Sequence, residues 1–274
     1  MALSPSRSSG SPARESVRST LGYAWRSRRV WWFTATARTR ARFARTTLGS
    51  FWLGLSNLFS IVVLAAVYGT VFKVQDFITY VVYLGLGLVV WNTIGSALNG
   101  APNLFEYNRS HLHNINLHPI FYTLEEWAFQ LQTFAQSFLM VLVALTFFQH
   151  DLFLNLLLWG WLPLFNLCLF LYWFPMLVCL LGARFRDLYQ LIPILLQLLF
   201  LISPILYEKE NLGGLVWAAN INPLFQVLSP IRFTLITGKL EWGVGVVLLM
   251  INGVGVVTSI WLLNRERRSI PFLI

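Results

Sequence analysis

Charged side chains are scarce in this sequence, since they account for only 11% of its 274 residues. Soluble proteins carry about a quarter charged residues. Hydrophobic residues make up 57% of the chain, and the mean hydropathy is +0.64. These values argue against a soluble globular fold and predict an all-α membrane protein that crosses the bilayer several times.

Cysteines and known catalytic motifs are also rare. The two cysteines, Cys168 and Cys179, lie in apolar segments 11 residues apart, too far along one helix for a disulfide. No GxxxxGK(S/T) loop occurs, because Gly238-Lys239 is followed by leucine, and no HExxH, GxSxG or paired-cysteine motif is present. The sequence therefore predicts no ATPase site, no metal site and no cofactor on this chain.

The long apolar runs contain almost no ionisable residues. Ionisable side chains inside a membrane span usually mark the path of an ion or a proton. Their scarcity argues against an ion-coupled transporter. A passive channel and a permease driven by a separate subunit both remain open.

Basic residues are concentrated at the amino terminus, where 10 arginines and no lysine fall within the first 50 residues. Residues 1–20 are rich in Ser, Arg, Pro and Gly, which predicts a disordered tail. Residues 21–47 mix arginines with aromatic side chains and cannot span, since one arginine costs about 2.5–3.5 kcal/mol at a bilayer centre. We expect them to form a cytoplasmic interfacial amphipathic helix.

Residue spacing predicts how that helix lies. Arg38, Arg42 and Arg45 follow an i, i+4, i+7 pattern that would place them together at the lipid headgroups. The other face is apolar and consists of Phe33, Ala37 and Ala44. A nucleic-acid-binding arm would need a soluble fold beside it, and a secretory signal would need a shorter apolar run, so both interpretations are rejected.

Six apolar segments are long enough to cross a membrane. They are residues 51–72, 77–99, 120–148, 152–182, 188–206 and 242–263. Pro163 and Pro175 are predicted kink points in the fourth segment, and Pro204 should end the fifth helix. With six spans, 16 of the 20 lysines and arginines fall on the side of both termini and four on the other, which predicts cytoplasmic termini.

Three pairs of glycines, each pair two residues apart, also lie in these segments. They are Gly85/Gly87, Gly243/Gly245 and Gly253/Gly255. Small residues allow the backbones of neighbouring membrane helices to approach closely, which is the role that we expect for them. They are not in the context of a phosphate-binding loop, so nucleotide binding is rejected.

Five short motifs occur in a defined order along the chain. Thr47, Leu48, Gly49 and Trp52 of TTLGSFW mark the start of the first span, and LGLGLVVW lies in the second. LGARFRDLYQ and LISPILY bound the fifth, and NPLFQVLSPIRF follows it. Together they resemble the ABC-2 type permeases that export O-antigen, capsule and teichoic-acid polysaccharides. The resemblance covers roughly residues 21–263, and the segment 106–122, with its three histidines, departs most from the family pattern.

This resemblance implies that residues 48–274 form a six-span ABC-2 type transmembrane domain with two short re-entrant helices between spans five and six. The chain would work as a homodimer in the bacterial cytoplasmic (inner) membrane. Two copies of a separate ABC ATPase, which binds ATP and Mg, would drive the export of a lipid-linked polysaccharide. This chain would therefore not be an enzyme by itself, and no nucleic-acid partner is expected.

Four groups of residues are candidates for roles in such a permease. The loop expected to couple to the ATPase contains Glu106, Asn108, Arg109, His111, Asn114 and Asn116. Candidates for the conduit are Trp52, Phe59 and Tyr68 on the first span. The interfacial helix contributes Trp31, Trp32, Arg38, Arg42 and Arg45. The exit-side gate contributes Pro204, Tyr207, Pro223 and Arg232, of which Arg232 would face an anionic group or a helix end, or anchor the chain at the interface.

Other functions stay open at this point. An ABC-2 permease for a small lipid or a drug would have the same topology. A membrane-embedded acyl- or glycosyltransferase would need a convergent acid or base, and His150-Asp151, predicted to lie outside at a loop tip, is the only adjacent pair. A structural membrane anchor is the third alternative.

Overall fold

The computed structural model describes residues 17–114, 117–207, 209–267 and 269–270. Helix accounts for 83% of these residues, which contain no strand. Five of the helices are long and apolar enough to cross a membrane. The prediction of an all-α membrane protein is therefore confirmed.

The described residues form 13 α-helices and one 3₁₀ helix. In chain order they are α1 (Val17–Arg26), α2 (Arg28–Phe43), α3 (Phe51–Val71), α4 (Phe77–Gly100), α5 (Leu104–Tyr107), α6 (Arg109–Asn114), α7 (Ile120–Thr146), α8 (Leu152–Trp159), α9 (Trp161–Arg184), α10 (Leu188–Ile202), the 3₁₀ helix Lys209–Leu215, α11 (Val216–Ile221), α12 (Pro223–Thr237) and α13 (Trp242–Glu266).

The helices α3, α4, α7 and α13 begin and end close to the predicted span boundaries, because the sequence changes there from apolar to polar. At the start of α4, the Asp76 carboxylate accepts hydrogen bonds from the hydroxyl and the amide of Thr79. These bonds lower the pKa of Asp76 and fix the amino-terminal end of the helix.

The amino-terminal segment is helical from residue 17 onward, so the predicted disordered tail does not extend to residue 20. Residues 1–16 lie outside the described part of the chain. Thr20 is fully buried, and its hydroxyl donates to Asn264 Oδ1 at 2.7 Å. This bond attaches α1 to the carboxyl-terminal end of α13.

The prediction of one continuous fourth helix over residues 152–182 is wrong. The helix is divided at Gly160 into α8 and α9, and neither proline makes the break. Pro163 lies in the first turn of α9, where a missing amide is tolerated, and Pro175 lies inside α9. α8 packs against α12 instead, where the Asn155 amide donates to a backbone carbonyl at 2.8 Å.

The segment after α9 contains three shorter helices. α10 has 15 residues and is apolar, but its length of about 22 Å is less than the roughly 30 Å of a hydrocarbon core. It ends just before Ser203-Pro204, as the proline predicts. α11 and α12 follow in the region where two short helices were expected, so five long helices are observed and the sixth span stays a prediction.

α4 lies at the centre of the bundle, because it packs against α3, α7, α9, α10 and α12. In its most apolar stretch 67% of the residues are buried, compared with 17% in α3 and 28% in α13. α3 and α13 therefore present apolar surfaces to whatever surrounds the chain.

Candidate functional site

The candidate coupling segment, α5 and α6, rests on a buried base. Leu104 and Phe105 are buried, and the turn before them touches the carboxyl-terminal end of α9. A Cβ atom built on Gly182 would lie only 2.5 Å from the Cα of Pro102. Glu106 Oε2 lies 3.8 Å from an Arg186 guanidinium nitrogen, which joins this segment to the turn between α9 and α10.

The outer part of this segment is polar and exposed. Arg109 and His111 are exposed on α6, whereas the Asn108 amide donates within the segment at 2.8 Å. Asn114 is the last residue of α6, and Asn116 lies outside the described residues. The segment thus presents a short polar helix, α6, on a packed base. A partner protein can bind this exposed helix.

Of the histidines in this segment, His118 faces the interior of the bundle. His118 is buried, its Nδ1 accepts a hydrogen bond from the Ile120 amide at 3.2 Å, and its ring lies 5.5 Å from that of Tyr23. Among the described residues, no group of His, Cys, Asp and Glu is placed to hold a metal ion. Cys168 and Cys179 are both free thiols.

An ion pair fixes α2 to α7. An Arg38 guanidinium nitrogen lies 2.5 Å from Glu126 Oε2 and 3.7 Å from Glu125 Oε1. The same guanidinium covers the Phe129 ring at 4.2 Å. Both carboxylates are largely shielded from solvent, which makes this contact stronger than an ordinary surface ion pair.

α2 packs against α7 through a face that the arginine spacing did not indicate. Ala35 and Thr39 are buried against α7, and the predicted apolar face of Phe33, Ala37 and Ala44 is exposed, as contact with a membrane requires. The spacing of the arginines indicated a face directed at headgroups. It could not reveal the carboxylates on α7 that turn the helix by pairing with Arg38.

The remaining interfacial residues divide into inward and outward positions. Trp31 is partly buried, and its indole N–H donates to a carbonyl of α1 at 3.0 Å. Trp32 and Arg45 are exposed, and the Arg42 guanidinium lies 6.0 Å from the Phe129 ring centre. Trp31 therefore holds α1 to α2, while Trp32 and Arg45 are available to a membrane surface.

Replacing Arg38 with alanine should loosen α2 from α7. We expect the free energy of unfolding to fall by about 1–2 kcal/mol, since two shielded carboxylates lose their partner while Arg38 itself is partly exposed. Thermal unfolding in detergent measures the change, with Arg45→Ala as the exposed control. The exchanged pair Arg38→Glu/Glu126→Arg should recover part of the loss. Equal melting temperatures for Arg38→Ala and Arg45→Ala would contradict the assignment.

The three aromatic candidates on α3 do not share one face. Trp52 and Phe59 are 42% and 59% exposed and point away from the bundle, as their spacing predicts. Tyr68 is partly buried, and its ring stacks on Phe72 at 5.7 Å. Phe72 in turn lies 6.4 Å from the Tyr207 ring, so Tyr68 belongs with the exit-side residues.

Arg232 lies at the centre of the exit-side group. Its side chain is only 5% exposed, one guanidinium nitrogen donates to the Pro204 carbonyl at 3.0 Å, and the group lies 3.5 Å from the centre of the Tyr83 ring. The Tyr83 hydroxyl shares its one proton between the carbonyl oxygens of Pro204, at 3.0 Å, and Tyr207, at 3.1 Å. The Pro204 carbonyl lies two residues beyond the end of α10, so Arg232 binds the segment that follows this helix.

Pro223 joins the same group through its neighbour. It is the first residue of α12, where proline is favoured, and Asn222 Oδ1 accepts the Leu224 amide at 3.0 Å. The Asn222 amide also donates to Ser203 Oγ at 2.7 Å, which holds the start of α12 against the end of α10. Burial raises the pKa of Tyr207, and the Tyr207 hydroxyl donates to the Leu201 carbonyl in the last turn of α10.

Sequence reasoning did not recognise the roles of three residues. Tyr80 and Tyr83 lie one turn apart on α4, and the Tyr80 hydroxyl donates to the Leu206 carbonyl at 2.6 Å. Two tyrosines at this spacing in an aliphatic span were a usable signal. Glu126 was noticed only as a residue near a helix start, because its partner Arg38 is 88 positions away in the sequence.

The candidate acid–base pair of the enzyme hypothesis lies on the turn between α7 and α8. His150 Nδ1 is 3.0 Å from the Thr146 carbonyl, and Asp151 is the residue that precedes α8. Both side chains are exposed, so the described structure gives this pair no enclosed site for a reacting group.

Comparison with known proteins identifies one family. The model of the family described as ABC-2 type transporter matches residues 31–236, which is more than half of the chain. No curated protein matches the chain. The matched region extends from α2 through α12 and therefore includes the ion pair of Arg38, the segment α5–α6 and the group around Arg232.

Proposed function

Because the chain belongs to the ABC-2 type transporter family, we propose that it is the permease subunit of an ATP-driven exporter of lipid-linked polysaccharide. The family supplies the multi-pass membrane component of ABC transporters, lacks an ATPase site of its own and works with an ABC ATPase. The family match over residues 31–236 is the observation that carries the permease function.

The proposed topology has six spans, with α10 as the fifth and both termini in the cytoplasm. The distribution of basic residues supports it, since 16 of 20 fall on the side of the termini. α10 packs against α4 and α9 within the bundle, and α11 and α12 then turn back toward it as the re-entrant pair. This is the topology of a bacterial inner-membrane permease whose transmembrane domain begins near residue 48.

The proposed active form is a homodimer with the conduit between the two copies. Trp52 and Phe59 lie on the exposed side of α3, the least buried of the five long helices. Aromatic faces suit the apolar faces of sugar rings and let a chain slide. A lipid-linked polymer is too wide for the interior of one tightly packed chain, so α3 would face it from both copies.

The proposed site of coupling is the segment α5–α6, of which each copy would contact one of two ATPase subunits. Its packing supports this role, because Pro102 touches Gly182 on α9 and Glu106 lies beside Arg186. A displacement of α6 by the ATPase would therefore be transmitted to both α4 and α9. ATP binding and hydrolysis, with Mg, would occur entirely on the partner.

Purification of the tagged chain from its native membranes tests this proposal. We expect a P-loop ATPase to co-purify, and its recovery should fall below detection when residues 106–116 are replaced by Gly/Ser. The control is a Gly/Ser replacement of residues 209–214, on the opposite side by the charge distribution. Failure to recover any ATPase with the wild-type chain, or equal recovery with both replacements, would count against the proposal.

The cargo is tested in cells that lack the chain. We expect polysaccharide to disappear from the cell surface and lipid-linked glycan to accumulate inside. If surface polysaccharide is unchanged and small amphiphiles stimulate the partner ATPase, the cargo is instead a small lipid or a drug.

A further inference from the structure

One exposed line on α4 is polar. From residue 84 to residue 99 every residue is buried except Asn92, Gly95, Ser96 and Asn99. These four follow an i, i+3, i+4, i+7 pattern and so share one face of the helix over about 10 Å. We call this set the polar line of α4. It lies in the half of α4 that leads into α5, the side of the proposed coupling segment.

Exposed positions on another span have the opposite character. On α13 they include Val247, Met250, Ile251 and Val254, which are between 51% and 68% exposed. Positions that face lipid acyl chains are usually apolar, because a polar side chain there would have no hydrogen-bonding partner. The contrast indicates that α13 faces lipid and that the polar line of α4 does not.

Hydrogen bonds hold the line in a defined arrangement. The Asn92 amide donates to Asn57 Oδ1 at 2.7 Å, and the Asn57 amide donates to Ser137 Oγ at 2.7 Å, which links α4, α3 and α7. Within the described residues, the side chains of Ser96 and Asn99 make no hydrogen bond. Asn92 is therefore held in place, and Ser96 and Asn99 offer unused donors and acceptors one turn or two further along the helix.

The neighbouring helix extends this surface. On α3, Ser56 and Ser60 are exposed, and their hydroxyls donate to backbone carbonyls of their own helix at 3.1 Å and 3.0 Å. Their oxygens still have lone pairs that can accept from another molecule. α3 and α4 pack side by side, so these serines border the line through Asn57 and Asn92.

We propose that the polar line of α4 is a wall of the transport path and binds uncharged, hydroxyl-bearing parts of the cargo. Asn and Ser side chains both donate and accept, as sugar hydroxyls do, and the line carries no charge to retain an ionic group. Gly95 leaves open space, since no atom lies within 4 Å of a Cβ built there, so a sugar ring can approach the backbone. This inference rests on the proposed function, and its first test is independent of the cargo.

The first test asks whether the line contacts water. In a background with Cys168→Ala and Cys179→Ala, the variants Ser96→Cys and Asn99→Cys are treated in isolated membranes with a charged, membrane-impermeant methanethiosulfonate. Thr258→Cys on α13 is the control, because Thr258 is an exposed polar residue on a span that packs mainly against α9. We expect labelling at 96 and 99 to be at least about tenfold faster than at 258, since only a hydrated thiol ionises and meets the reagent.

The second test uses two matched glycines. No atom lies within 4 Å of a Cβ built on Gly95 or on Gly253, so a protein with leucine at either position should still fold. We expect Gly95→Leu to block polysaccharide export and Gly253→Leu to leave it unchanged. Ser96→Ala and Asn99→Leu should each lower export by about fivefold, which is the usual effect of one lost hydrogen bond.

The outcomes separate this inference from the proposed function. The proposal that the polar line of α4 forms a wall of the transport path is rejected if positions 96 and 99 are labelled as slowly as position 258. It is also rejected if cysteines at 96 and 99 form disulfide-linked dimers and are not labelled. Export unaffected by Gly95→Leu would overturn it as well. If cells without the chain keep their surface polysaccharide while labelling at 96 and 99 is fast, the aqueous wall stands and the polysaccharide cargo is rejected.

Discussion

Replacing Gly182 with valine is expected to abolish export and to destabilise the protein by about 3 kcal/mol, at the upper end for an overpacked site. A Cβ at this position would lie 2.5 Å from the Cα and 2.6 Å from the carbonyl oxygen of Pro102. Those are backbone atoms, which cannot rotate out of the way as a side chain can. The turn that leads into α5 must therefore move away from α9, and the coupling segment loses its base.

Thermal unfolding and co-purification of the ATPase measure the two parts of this effect. Gly182→Ala should produce a smaller change in the same direction, because it introduces the same Cβ without further atoms. Gly243→Val is the matched control, since nothing lies within 4 Å of a Cβ there. A Gly182→Val protein that melts and binds its ATPase like Gly243→Val would show that the contact with Pro102 is unimportant.

Replacing Arg232 with methionine is expected to have a comparably large effect, a loss of about 2–4 kcal/mol of stability together with the loss of export. The guanidinium donates to the Pro204 carbonyl just beyond α10 and lies against the Tyr83 ring. The centre of a second aromatic ring, that of Phe225, lies 5.9 Å from the guanidinium carbon. Methionine fills a similar volume but donates no hydrogen bond. α12 would then separate from α10 and α4.

The Arg232→Lys variant separates charge from shape. Lysine keeps the charge but not the planar fork that stacks on Tyr83 while bonding to Pro204, so we expect it to recover less than half of the lost stability. Lys239→Met is the control, because Lys239 is exposed just beyond α12. A melting temperature for Arg232→Met equal to that of the control would contradict the role assigned to this buried cation.

The long helices could be predicted from the sequence because each is bounded by a change in polarity. α3 and α4 begin at the predicted residues 51 and 77, and α7 and α13 at 120 and 242. The break at Gly160 could not be predicted, because glycine inside an apolar run gives no such change. It depends on α8 packing against α12, a contact between residues far apart in the sequence.

The candidate site shows the same limit. The sequence placed Arg232 and Pro204 in one functional group, because a cation and a helix-breaking proline stand out in an apolar region. It did not identify Tyr83, which joins them. Likewise, the spacing of arginines predicted α2, but its orientation depends on Glu126, whose position relative to α2 is set only by the folded bundle.

The glycine pairs make this point in one motif. Gly87 leaves room for the Arg232 guanidinium, with 3.3 Å from a built Cβ to the nearest nitrogen, and Gly255 lies against the Trp173 ring. In the two pairs on α13, by contrast, Gly243 and Gly253 have open space around them. The pattern predicts where helices can approach closely, but only the packing decides which glycine is used.

Reconstitution tests the central claim most directly, namely that this chain passes a glycan across the membrane when a separate ATPase hydrolyses ATP. The purified chain and its co-purified ATPase are placed in liposomes that carry labelled lipid-linked glycan, with the ATPase facing outward. The fraction of glycan protected from an added glycosidase is then measured. We predict that protection rises only with ATP, and that Gly182→Val and Gly95→Leu prevent the rise. Equal protection without ATP, or in liposomes that lack this chain, would contradict the account.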